Sequence, residues 1–242
     1  MFTQMNIRPS SYCNRIAKSL SPKTFDRFDG EKLICGTGRQ QKNSSLRDGS
    51  CSGDSGGPLV AKVLNEKNEE KFTLIGIVSF GGGHYAGCGS FGAYTKVSKY
   101  LNFIRDPKHD LVGETVTTIP QVKFTLHDGD GEIVRDEMSI RDNTEIPSFG
   151  KLAPHILFGW TAQPKLIPWQ IQFLNPNFPE YQCGGTLITP NKIVSAAHCF
   201  YEEWLSDEWR EEDLVIKAGN IERLGRSDFV QKRKCSQIIV HS

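Results

Sequence analysis

Apolar and polar positions alternate most clearly over Phe72–Val78, F-T-L-I-G-I-V, and this alternation predicts a strand with one covered face. The polar stretch Asn65–Lys71 separates it from Leu59-Val60, so the two apolar stretches read as a hairpin. Val97, Tyr100, Leu101 and Ile104 recur at helical spacing, and Pro107 stops that run. Between Cys13 and Leu33-Ile34-Cys35 the chain is polar, and no element is predicted there. An apolar, strand-like run leads up to His198, and Leu214–Ala218 and Gln237–Val240 predict further strands. Phe200, Tyr201, Trp204, Leu205 and Trp209 fit one side of a helix in an acidic insertion ending at Asp213. Val122–Leu126 and Ile133-Val134 predict at most one hairpin, turned at His127–Gly131.

Composition narrows what such a protein does. The 242 residues can bury a core as one or two domains, and the net charge of +1 leaves no nucleic-acid or membrane footprint. No apolar run approaches a membrane span. Seven cysteines suit an oxidising, extracellular compartment, although the first residues lack the apolar centre of a secretory signal. Without paired C-x-x-C motifs, neither a metal site nor another cofactor is expected. The D-G-D-G run at 128–131 is a fragment of a calcium loop without its remaining ligand positions, and a linker is the better reading. Asn43-Ser44-Ser45 is a glycosylation acceptor pattern in a polar loop.

The chemistry concentrates in Asp48–Val60, D-G-S-C-S-G-D-S-G-G-P-L-V. Small residues on both sides of a serine let a turn bring backbone N–H groups close to a substrate oxygen. Ser55 is the candidate nucleophile, and the amides of Gly53 and Ser55 are the candidate oxyanion donors. A serine hydroxyl needs an adjacent base. The second dense stretch supplies one: Cys183–Cys199, C-G-G-T-L-I-T-P-N-K-I-V-S-A-A-H-C, contains His198.

Both stretches resemble the chymotrypsin-like serine protease family, the G-D-S-G-G-P run and the A-A-H-C ending above all. The resemblance implies an all-β fold, a chymotrypsin-like double β-barrel, here with its halves in inverted order and a short C-terminal-type helix after the first half. Residues 1–104 resemble the second, serine-bearing barrel, 105–155 a linker or propeptide-like segment, and 156–242 the first, histidine-bearing barrel. It further implies disulfides Cys13–Cys35, Cys51–Cys88 and Cys183–Cys199, with Cys235 left over. Ile156-Leu157-Phe158-Gly159 resembles the new N-terminus made when a zymogen is cut, and Ile156 would then pair with Asp54. The residue before that cut is His155, not the usual Arg or Lys.

The implied specificity pocket consists of Gly49, Ser50, Ser79, Gly81 and Gly92. Its base is uncharged, which favours a large apolar or aromatic side chain. The alternative is a one-residue slip that brings Asp48 to the base and confers basic specificity. The implied activity is serine endopeptidase hydrolysis through an acyl-enzyme, with peptide or protein substrates, a protein inhibitor as a further partner, and no nucleic acid or membrane. The alternative is a protease-like binding protein without turnover.

In the family the histidine precedes the serine, with an aspartate between them in a D-I-A-L-like run. Here Ser55 comes first, and Asp207, Asp213 and Asp228 all lack that context. The order suits a window across a tandem protease, in which one domain ends near Ile104 and the next begins at Ile156. A permutant whose halves pack together is the competing account, and a linker of this length spans ~40 Å if unstructured.

Overall fold

The computed structural model describes residues 2–20, 29–40, 42, 47–64, 67–82, 91–107, 156–157, 159–160, 162–163, 165–176, 178–200, 213–219 and 230–241. The hairpin expected within 122–134, the helix expected from Phe200 and the residues Cys88 and His155 lie wholly or mostly outside them.

Twelve strands and two short α-helices are present among the described residues: β1 Met5–Arg8, α1 Ser10–Leu20, β2 Leu33–Gly38, β3 Gly49–Ser50, β4 Pro58–Leu64, β5 Glu70–Gly82, β6 Phe91–Lys96 and α2 Leu101–Arg105 in the serine-bearing half, then β7 Ile156–Leu157, β8 Gln170–Asn175, β9 Phe178–Thr189, β10 Lys192–Val194, β11 Val215–Ala218 and β12 Gln231–Lys234. They form two five-stranded antiparallel sheets, ordered β1-β2-β6-β5-β4 and β10-β9-β8-β11-β12. These are the two barrel halves, in inverted chain order. A third, two-stranded ladder joins β3 of the first half to β7 of the second.

Local sequence accounts for most of these elements. Along β8 every second side chain, Ile171, Phe173 and Asn175, is buried, the period-two pattern of a strand with one covered face. The β4–β5 hairpin turns near Asn68, whose φ of 63° falls where asparagine is better tolerated than most residues. The helical spacing at Val97–Ile104 resolves into one 3-10 turn, Val97–Lys99, followed by α2, and Pro107 lies just past its end.

Two expectations are corrected. The polar stretch after Cys13 continues α1, which starts directly after Pro9 and buries Cys13 and Ala17, four residues apart, against β2 and β6. Gln237–Val240 is not a strand. The outer antiparallel partner of β11 is the basic β12, in register from Val215↔Lys234 to Ala218↔Gln231, while Ile238 only packs on the core.

The largest buried cluster crosses between the halves. Ile77 and Val97 from the serine-bearing half pack with Ile171, Phe173, Cys183, Ala196, Cys199 and Leu214 from the other. Around this shared core, Phe72 meets Trp169 with ring centroids 5.4 Å apart, and His241 meets both Tyr100 and Phe103 edge-on at 5.1 Å. Lys192 Nζ donates to the Arg105 carbonyl at 3.0 Å, and Phe2 and Trp160 exchange backbone bonds of 2.8 and 2.7 Å.

Candidate active site

The serine loop is a succession of backbone turns. Asp54 N–H donates to the Cys51 carbonyl at 3.1 Å, and Cys51 N–H donates back to Asp54 Oδ2 at 2.8 Å. Gly57 N–H reaches the Asp54 carbonyl, and Gly56 N–H and Val78 N–H tie the loop to β5 at 2.8 and 2.9 Å. Gly53 and Gly56 hold φ of 96° and 81°, a region that side-chain-bearing residues rarely enter.

The other half presses directly on this loop. Gly184 N–H on β9 donates to the Ser55 carbonyl at 2.7 Å, and Cys199 Sγ lies 3.8 Å from that same oxygen. A Cβ at Gly56 would overlap Ser195 Oγ and the Gly184 carbonyl, while one at Gly184 would come within 3.2 Å of Gly57 N. Ser195 Oγ itself donates to the Gly184 carbonyl at 2.7 Å. The glycines therefore serve a second purpose beyond turning the chain, since they let two backbones approach across the interface. Sequence reasoning missed Gly184 and Ser195, and only C-G-G hinted at such an approach.

His198 lies in the 3-10 turn Ala197–Cys199 at the end of β10, half-buried. Its turn is anchored by the Cys183–Cys199 disulfide, Cα–Cα 6.2 Å, which ties it to β9. A ring nitrogen of His198 and both sulfurs lie within 4.8 Å of one another. Sulfurs joined to each other offer no thiolate ligands, so this trio is not a zinc-type site. Ser55 and His198, 143 residues apart in the chain, thus belong to segments in direct contact.

The residues expected to form a pocket lie on two ladders. Gly81 and Gly92 face each other across the β5–β6 ladder, and Ser79 falls at the register shift between Val78 and Phe80. Gly49 and Ser50 pair with Leu157 and Ile156 through β3–β7. Tyr94 is buried beneath them, and burial pushes its hydroxyl up to about 12 despite a hydrogen bond with Ser50.

Two carboxyls are buried here. Asp48 is turned toward Thr3 and Arg39, with its Oδ2 3.4 Å from Thr3 Oγ1 and 3.7 Å from Arg39 Nε. Arg39 in turn lies over the Trp160 ring at 5.2 Å. The Asp54 residue is partly exposed but its carboxyl is covered, and burial raises its pKa to about 8, more than its bond from the Cys51 amide lowers it. In the uncut chain Ile156 has an amide and not an ammonium, so it brings no charge to Asp54.

Cys13–Cys35 closes with Cα–Cα 5.9 Å and fixes α1 to β2. Cys51 is disulfide-bonded, with its expected partner Cys88 outside the described residues. Cys235 is free.

The Trypsin family model matches residues 12–104 and 156–242, with the intervening segment unmatched. Among curated proteins, tissue-type plasminogen activator of Rattus norvegicus is 37% identical over 106 residues, and that of Sus scrofa 39% over 107, each covering 42% of this chain and 16% of the relative. Complement C1s subcomponent of Sus scrofa is 34% identical over 105 residues, covering 43% of this chain and 13% of the relative. The chain thus spans less than a fifth of the length of these relatives.

Proposed function

The chain belongs to the Trypsin family of serine proteases, and from that premise we propose that it is a serine endopeptidase whose site is assembled from inverted halves. The observation that carries this reading is the bond from Gly184 to the Ser55 carbonyl, with Cys199 beside it, because it sets the serine loop against the histidine turn.

In this reading Ser55 Oγ attacks the scissile carbonyl carbon as His198 takes its proton. The Gly53 and Ser55 amides hold the resulting oxyanion. The C–N bond breaks as the imidazolium returns the proton to the leaving amine, and water then releases the acyl group by the same route in reverse. Gly49, Gly81 and Gly92 shape a pocket for an apolar or aromatic side chain. The contacts of the Asp48 carboxyl with Thr3 and Arg39 support this uncharged base over the alternative in which Asp48 confers basic specificity. Peptides or proteins are the substrates, a protein inhibitor is a fitting partner, and the compartment is extracellular, as the disulfides suggest.

The uncut chain is a low-activity form. Burial raises the Asp54 pKa to about 8, and the ammonium of a freed Ile156 would be a further cation to hold its charged form. The histidine also lacks an assigned aspartate. In chymotrypsin-like enzymes themselves, from which this magnitude is borrowed, that loss lowers turnover by ~10⁴-fold.

Fluorophosphonate labelling of the disulfide-intact 242-residue chain tests the assignment. The expected result is slow labelling of Ser55, abolished by Ser55→Ala and strongly reduced by His198→Ala. Labelling that is indifferent to His198→Ala would remove the histidine from the mechanism. Peptide binding with no labelling would favour the binding-protein reading.

A further inference from the structure

Asp48 is a buried carboxyl that the proposed reaction leaves unused, and its contacts lead toward Ile156. Its side chain is fully covered, that of Arg39 is 63% exposed, and the two approach to 3.7 Å. The backbone closes the same pair, since Asp48 N–H donates to the Arg39 carbonyl at 3.0 Å. Arg39 in turn meets the Trp160 ring, with its guanidinium carbon 5.2 Å from the centroid. That ring also meets Phe2 at 5.8 Å between centroids, and the main chains of Phe2 and Trp160 bond in both directions. Trp160 is thus held by its side chain and its backbone together.

Residues 156–160 carry this hold to the serine loop. A Cβ at Gly159 would come within 2.6 Å of Ile156 Cγ2 and 2.8 Å of the Phe2 carbonyl oxygen, so the segment is packed closely on itself and on Phe2. Ile156 and Leu157 pair with Ser50 and Gly49 of β3. Asp48 directly precedes β3, and Cys51, directly after it, donates its N–H to Asp54 Oδ2 at 2.8 Å. One short strand is therefore bounded by two covered carboxyls, one tied through Arg39 to Trp160 and the other tied into the loop of Ser55.

We propose that Arg39 and Trp160 are positioning residues which, with Asp48, latch residues 156–160 against β3 in the uncut chain, so that a cut before Ile156 creates its ammonium in place. The inference rests on the proposed pairing of a freed Ile156 with Asp54. Hydrolysis of that bond takes up one water and leaves a carboxylate on residue 155 and an ammonium on Ile156. The contacts of Arg39 are exposed and individually weak, so the latch opens without unfolding either half.

Hydrogen exchange of the uncut, disulfide-intact chain reads the latch at the amide of residue 160, which donates to the Phe2 carbonyl at 2.7 Å. Arg39→Gln should speed that exchange by roughly fivefold and Trp160→Leu by about tenfold, with β8 and β9 unchanged. Arg39→Lys should have a smaller effect than Arg39→Gln, because charge is kept beside Asp48 while the planar stack is lost. Arg39 is exposed, so its variants keep the fold even if Trp160→Leu does not. A form with an enteropeptidase recognition sequence in place of residues 151–155 is then cut before Ile156 and treated with cyanate, which carbamylates accessible amines. Arg39→Gln should raise the reaction rate of the Ile156 amine by about the factor seen in exchange. Slow carbamylation, hastened by Arg39→Gln but without fluorophosphonate labelling of Ser55, would uphold the latch and count against the protease reading. Unchanged exchange at residue 160 in both Arg39→Gln and Trp160→Leu, acceleration shared equally by β8 and β9, or an Ile156 amine that reacts equally fast with and without Arg39 would each overturn the proposal.

Discussion

The two halves are built to different degrees of independence. The serine-bearing half has two buried clusters of its own, one around the Cys13–Cys35 disulfide with Ala17, Phe91 and Ala93, the other of Leu59, Val78 and Tyr94. The described part of the histidine-bearing half has none apart from the shared core, where Ile171, Phe173 and Leu214 pack with Ile77 and Val97. One half thus brings its own interior, whereas the other completes its interior at the interface. The candidate site is made at that same interface, so stability and site geometry are coupled in the histidine-bearing half far more than in the other.

The severest test is Gly56→Ala. The added Cβ would collide with Ser195 Oγ and the Gly184 carbonyl, at a residue already at positive φ. A loss of about 4–5 kcal/mol is expected, with unfolding in urea splitting into two transitions as the halves part. Replacing Cys13 and Cys35 by serine should cost about 3 kcal/mol, from the loop they close. That loss should fall on the serine-bearing half, and hydrogen exchange that speeds up first in β8 and β9 would contradict the comparison.

Asp54 gives a smaller, pH-dependent effect. Its folded pKa of about 8 lies above the ordinary 3.8, so the folded chain binds more protons between those values. Stability is therefore full below about pH 4, falls as pH rises, and levels above about 8, at roughly 1.4 kcal/mol per pH unit at most. Between pH 5.5 and 7 the midpoint of urea unfolding should drop by the equivalent of about 2 kcal/mol, and Asp54→Asn should abolish that part of the drop. Smallest is Ile77→Val, at about 1 kcal/mol. It removes one methylene from the shared core, so protection should be lost mainly in β8, β9 and β11.

Much of this was legible in the sequence because it is local. The alternation at Phe72–Val78 gives β5, and the spacing of Val97, Tyr100, Leu101 and Ile104 gives the terminal helical turns. Helix α1 was hidden because its buried positions are a cysteine and an alanine, too small to register against Ser10, Ser11, Asn14, Arg15, Lys18 and Ser19. The strand near the end of the chain was misplaced because β12 has no apolar residue, while the apolar Ile238-Ile239-Val240 beyond it is in no ladder. Ser55 and His198 stand out because the runs around them, G-D-S-G-G-P and A-A-H-C, resemble the family's motifs. The reason for Gly56 does not, because the atoms a side chain there would strike lie well over a hundred residues away in Gly184 and Ser195.

The β3–β7 ladder has a consequence for a cut chain. Arg105 is bonded to Lys192 and Ile156 is paired with Ser50, so both flanks of residues 108–155 are fixed to the body of the protein. While that segment is whole, it acts as a tether that holds the halves at an effective concentration on the order of millimolar. A single cut within it leaves every described contact in place but turns their association into a reaction between two molecules. The nicked protein is a heterodimer that dilution alone can dissociate, and its midpoint of unfolding then shifts with protein concentration where that of the intact chain does not.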